Sequence, residues 1–97
     1  MAAKNPVNGR LVLTNGDTFT APTDSKEFQP QGLIWSGGTG ANHKAWIVDA
    51  DGVTQCYMSI VGAGDHVELN SNFWGPTRPW KTPVTASMSS GVIFIMV

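Results

Sequence analysis

Lys44-Ala45-Trp46-Ile47-Val48-Asp49-Ala50-Asp51-Gly52-Val53-Thr54-Gln55-Cys56-Tyr57-Met58-Ser59-Ile60-Val61 is the stretch whose reading decides the fold. On the outgoing run Trp46, Val48 and Ala50 share a face. The return run has one face of Val53, Gln55, Tyr57, Ser59 and Val61 and another of Thr54, Cys56, Met58 and Ile60. A period of two marks a pleated strand, and Val, Ile, Trp, Tyr and Thr suit one. Asp51-Gly52 stands at the reversal and predicts a two-residue type I′ turn, in which both central residues take positive φ. Helix is a poor competitor. Eleven glycines and six prolines leave no stretch free of both longer than residues 41–51. An interior Gly costs a helix about 1 kcal/mol and a Pro about 3, so nothing beyond three turns fits.

The same signals recur outward from this hairpin. Arg10 to Thr14, Asn15-Gly16 and Asp17 to Thr20 predict an earlier hairpin; Val84 to Met88, Ser89-Ser90-Gly91 and Val92 to Val97 predict a later one. Gln31 to Ser36 and His66 to Leu69 add further strands. A competing reading places a helical turn over Asp24 to Phe28. Short strands at this spacing predict an all-β chain, a single antiparallel β-sandwich or small barrel of seven to eight short strands. The 97 residues are read as one domain, residues 1–9 as an extended N-terminal arm. Both faces of the last strand are apolar: Val92, Phe94 and Met96 against Ile93, Ile95 and Val97. Such a strand is expected to be central in the sandwich or covered by another subunit.

Only 13% of residues are charged, about half the usual fraction of about 25%. Six basic and seven acidic side chains leave a net charge of −1. That balance predicts neither nucleic-acid nor membrane partners, and it favours association with itself or another protein. Cys56 is the single cysteine, so no disulfide forms within the chain, and the first residues show no apolar signal region. A cytosolic site of synthesis follows as an expectation.

Several constellations could carry chemistry. Cys56 with His43 or His66 would make a nucleophile–base pair, but Cys56 falls mid-strand beside Met58 and Ile60, where a buried, inert thiol is expected. Asp49-Ala50-Asp51-Gly52 opens like a calcium loop, yet its glycine comes two residues early and the twelfth position is Ile60. The two histidines lack a metal-ligand spacing. The chain is therefore read as non-enzymatic, with no catalytic residues, no metal and no cofactor. The glycine-rich stretch Gly37, Gly38, Thr39, Gly40, Ala41, Asn42 runs into a strand instead of a helix, against a phosphate-binding loop. It is read as a mobile or partner-gripping loop. Phe73 to Pro83 holds three aromatics, three prolines and two of the six basic residues. Prolines bar it from a central strand. Either Trp74 and Trp80 plug one end of the core, or Phe73, Trp74, Arg78, Trp80 and Lys81 form a binding surface, since Trp and Arg are enriched at interface hot spots. Stacking of sugars on Trp74 and Trp80 is a third reading.

The order of these signals, the hairpin over Trp46 to Gly52, the aromatic-proline crossover Phe73 to Pro83 and the closing strand Ser90 to Val97, resembles small virion structural proteins of tailed bacteriophages. The resemblance covers roughly residues 31–97. It implies a capsid decoration (cement) protein on the virion surface. Such a protein would bind and stabilise the major capsid protein shell as a homo-oligomer, a trimer by preference, assembled in the host cytoplasm. A tail or head–tail component, or a carbohydrate-binding β-sandwich module, is the alternative.

Overall fold

A computed structural model describes residues 3–22, 24, 26–75 and 78–97. The chain is all-β. Its strands are β1 (Ala3–Lys4), β2 (Arg10–Leu13), β3 (Thr18–Phe19), β4 (Glu27–Phe28), β5 (Gly32–Ser36), β6 (Lys44–Val48), β7 (Thr54–Ser59), β8 (Val67–Asn70), β9 (Trp80–Lys81), β10 (Val84–Met88) and β11 (Val92–Met96), with one 3₁₀ turn over Ser71–Phe73. Seven of these have four residues or more, and four are two-residue segments. The residues described within Asp24 to Phe28 make a turn and then β4, not a helical turn.

Two sheets face each other as a sandwich. One runs β1-β3-β10-β6-β7, the other β2-β11-β5-β8, and β4-β9 form a separate ribbon. Pairing is antiparallel except between β1 and β3. Alternation sends one set of side chains from each sheet inward: Ala45, Ile47, Cys56, Met58, Val84, Ala86 and Met88 from the first, Leu11, Leu13, Leu33, Trp35, Ile93 and Ile95 from the second. Burial of such side chains contributes about 1.5–3 kcal/mol each for the larger aliphatic ones. The terminal strand β11 is central, hydrogen-bonded to β2 on one side and β5 on the other.

Of the three expected hairpins, only β6–β7 stays within one sheet. Its turn differs from the expected type I′ form. Positive φ occurs at Gly52 (81°) and not at Asp51. Gly52 N–H donates to Asp49 O, and Asp49 N–H to Val53 O, which is a three-residue loop with a left-handed glycine at its end. A register shift follows between Ile47 and Val48.

The other two reversals are corners between sheets. β2 pairs with β11, not with β3, because the polar groups of the corner are spent on β10. Gly16 N–H donates to Ala86 O (2.8 Å), Ala86 N–H to Asp17 O (3.0 Å), and Met88 N–H to Asn15 Oδ1 (2.9 Å). Asp17 Oδ2 closes the turn by accepting from the Thr14 N–H and hydroxyl. At the second corner, Ser89 N–H donates to Lys44 O and Lys44 N–H to Ser89 Oγ, while the buried Trp35 indole donates to Ser90 O (2.9 Å). Gly91 then turns the chain into the opposite sheet at φ 85°. A Cβ there would press on the Ser36 carbonyl oxygen and stand 2.9 Å from Trp35 Nε1.

Gly52 and Gly91 therefore make a matched test. Both take positive φ, but Gly52 has open space around it. Gly52→Ala is expected to cost about 1–2 kcal/mol, the left-handed penalty alone. Gly91→Ala adds a backbone clash and is expected to cost about 3 kcal/mol or more. Urea unfolding of the two variants beside the parent chain reads the difference.

Candidate functional site

The aromatic-proline segment is built onto the end of β8. Asn70 Oδ1 accepts from Asn72 N–H (3.0 Å) and starts the 3₁₀ turn, and Gly75 N–H donates to Ser71 O (2.8 Å). This geometry turns Trp74 inward, where it is 5% exposed; Trp80, on β9, is 0% exposed. The rings continue a column of edge-to-face contacts. Trp74 and Trp80 centroids lie 5.0 Å apart, Trp80 and Phe28 5.7 Å, Phe28 and Phe19 5.0 Å. Such pairs add about 0.5–1.5 kcal/mol each beyond area burial. Among the described residues neither indole N–H of Trp74 and Trp80 has a hydrogen-bond partner.

These two tryptophans are core residues, which corrects the reading of them as exposed binding or sugar-stacking rings. A buried ring has no free face to offer. Phe73, Arg78 and Lys81 remain outside. Phe73 is 56% exposed, Arg78 lies on the surface beyond Gly75, and Lys81 Nζ pairs with Asp51 Oδ2 at 3.3 Å. β9 is held to β4 through Glu27 and Phe28, and Thr82 locks the exit. Its N–H and hydroxyl both donate to Lys26 O, while its oxygen accepts from Ala21 N–H (3.0 Å).

The glycine-rich loop lies at the other end of β5 and is tied down at several points. Thr39 N–H donates to Ser90 Oγ (3.0 Å), Gly64 N–H to Gly38 O (2.8 Å), and Asn42 N–H to Ile60 O (2.9 Å). Ser90 Oγ also meets His43 Nδ1 at 2.7 Å. Gly38 is buried against Ile60, with no room for a Cβ. These bonds tie the loop to Ser90, Ile60 and Gly64, while Gly37, Thr39 and Asn42 present an exposed outer surface. The loop and the Phe73–Lys81 segment are not brought into one pocket by any contact described.

Titratable groups explain two other sequence signals. Asp49 is buried, and burial alone would raise its pKa. Hydrogen bonds from Val53 N–H, the Gln55 amide and Asp51 N–H, with Lys81 nearby, outweigh that and hold the carboxyl below its ordinary value. The carboxylate thus organises the β6–β7 turn, which accounts for the acid-rich tetrapeptide without a calcium ion. Burial pushes the Cys56 thiol up to about 12. At neutral pH it holds its proton and is no nucleophile. The histidines are engaged elsewhere, His43 with Ser90 and His66 with Glu68 at 3.6 Å.

One surface escaped the sequence reading. On the outer side of β2-β11-β5-β8, Val12, Ile34, Val92, Phe94 and Met96 lie together, Val12 43% exposed and the others half-buried. The two-sided apolar pattern of β11 was its signal. The pattern showed that Phe94 and Met96 share a face, but only the pairing of β11 with β2 and β5 adds Val12 and Ile34 to it. On the outer side of the opposite sheet Trp46 and Tyr57 stack at 5.9 Å and 22°. Comparison with protein-family models, with curated proteins and with solved structures finds no match for this chain.

Asp49→Asn is expected to melt several degrees below the parent at pH 7. Because the folded pKa is depressed, the stability it contributes is present above the unfolded value and lost as pH falls through the folded one. The gap should therefore close below about pH 4, which melting curves across a pH series will show. Cys56 should react with a thiol reagent at a rate set by unfolding, slow in buffer and complete within minutes in denaturant, followed by absorbance.

Proposed function

We propose that this chain is a non-enzymatic virion structural protein, a capsid decoration protein that binds and stabilises a major capsid protein shell and associates with copies of itself. The observation that carries the reading is the apolar outer face of β2-β11-β5-β8. Contiguous apolar surface is what partner proteins cover, and exposed Val12 with half-buried Ile34, Phe94 and Met96 forms such a surface on a chain with little charge to keep copies apart. Phe73, Arg78 and Lys81, outside the buried Trp74–Trp80 pair, supply a second exposed surface with the aromatic and basic character of an interface rim. A tail or head–tail position would use the same two surfaces. The glycan-binding alternative loses its platforms, since Trp74 and Trp80 are buried.

The test is co-sedimentation of purified protein with capsids assembled from the genome that encodes it. Saturable pelleting is expected, and its absence overturns the capsid reading. Phe73→Ala and Arg78→Ala should each weaken attachment by about 1–4 kcal/mol while leaving the melting midpoint nearly unchanged. Trp80→Ala should instead lower stability by about 3–5 kcal/mol. Normal attachment by folded Phe73→Ala, Arg78→Ala protein would show that the segment serves only as a crossover.

A further inference from the structure

The apolar outer face is framed by one charge at each edge. One cross-strand row reads Val12, Phe94, Ile34, Glu68; the next reads Arg10, Met96, Gly32, Asn70. Arg10 stands on the β2 edge and Glu68 on the β8 edge, three strand spacings or about 14 Å apart across the sheet and one same-face row apart along it. The Arg10 guanidinium leans inward, 6.0 Å from the Phe94 ring centre, and roofs a shallow hollow lined by Ile34, Ser36, Phe94 and Met96. Glu68 is exposed, its carboxylate 3.6 Å from the equally exposed His66. The face therefore carries a positive edge, an apolar middle and a negative edge.

We propose that this face pairs with the same face of a second copy about a twofold axis running parallel to the strands. Two identical faces packed together are related by a twofold axis lying between them. An axis across the strands would set each edge on its own counterpart, Arg10 over Arg10 and Glu68 over Glu68. An axis along the strands exchanges the edges, so Arg10 of each copy meets Glu68 of the other, twice, around a shared centre of Val12, Ile34, Phe94 and Met96. Packed sheets stand about 10 Å apart, and Arg10 and Glu68 also differ by one same-face row, about 7 Å along the strands; extended arginine and glutamate side chains together reach across that diagonal. Four strands by five residues project roughly 300 Å² per copy, below the roughly 800 Å² per partner of standard interfaces. The dimer is accordingly weak in solution and gains strength where copies are arrayed on a common support. A threefold ring, which the resemblance favours, would join this face to a different surface instead.

This twofold rests on the self-association part of the proposed function, and it is read without capsids. Sedimentation velocity over a micromolar to millimolar series should show a monomer–dimer equilibrium. Phe94→Glu, Arg10→Glu and Glu68→Arg should each weaken it roughly tenfold or more, a change of about 1.4 kcal/mol per decade. The double variant Arg10→Glu, Glu68→Arg should return to within a few-fold of the parent, because it restores opposite charges at both contacts. Circular dichroism melts verify the fold of each variant, and the two charged positions are exposed, so the exchange reads the contact even where Phe94→Glu does not fold. A double variant no tighter than the single ones overturns the axis along the strands. A trimer unaffected by Phe94→Glu overturns the twofold and leaves self-association standing. A monomer throughout the series overturns both.

Discussion

The corner at Ser89-Ser90-Gly91 is the constraint on which the two-sheet arrangement depends. Here the chain leaves β10 in one sheet and enters β11 in the other within three residues. Gly91 makes the step at positive φ, with the Ser36 carbonyl and the Trp35 indole occupying the space that a Cβ would need. Ser90 faces both ways: its carbonyl takes the Trp35 N–H, and its hydroxyl meets Thr39 N–H and His43. Ser89 exchanges hydrogen bonds with Lys44 at the start of β6. One three-residue turn thereby fixes β5, the glycine-rich loop, β6, β10 and β11 relative to one another. The Ser89 N–H and both serine hydroxyls, together with the Ser90 carbonyl, find their partners on β5, β6 and the glycine-rich loop.

The remaining polar interior follows the same logic on a smaller scale. Asp49 and Asp17 are both buried carboxylates at chain reversals, and both accept local backbone N–H groups. An aspartate in such a turn substitutes for the hydrogen bonds that water would otherwise supply. This explains why a chain with so few charges places two of them inside. The consequence is a surface short of charge, on which the outer apolar face and the exposed side chains of Phe73 and Arg78 stand out.

The aromatic-proline segment shows how far composition leads and where it stops. Three prolines exclude a central strand, and that much is legible in the residues. Whether Trp74 and Trp80 point in or out is not, because the segment has no periodicity to divide its faces. The decision comes from Phe28, some fifty residues upstream, whose ring meets Trp80; Phe19 backs Phe28 on one side and Trp74 packs on Trp80 on the other. The exposed remainder, Phe73, Arg78 and Lys81, is what that packing leaves over.

What the sequence by itself determined is the fold class: alternation in residues 44–61, the density of glycine and proline, and the two apolar faces of β11 are local properties, and they dictate strands, reversals and a last strand that is central or covered by another subunit. The tertiary structure alone decided which strands are neighbours. Asn15-Gly16 and Ser89-Ser90-Gly91 reverse the chain equally well into the same sheet or across to the opposite one, since a turn constrains φ and ψ over a few residues but not the partner of the strand that follows. That choice was made by long-range hydrogen bonds, Asn15 to Met88 and Trp35 to Ser90, and by the burial of Leu11, Leu13, Ile93 and Ile95 in one sheet against Ala45, Ile47 and Ala86 in the other. The outer face of Val12, Ile34, Phe94 and Met96 exists only as a result of that pairing, because its residues come from three strands scattered along the chain and become one surface when hydrogen bonds set their register.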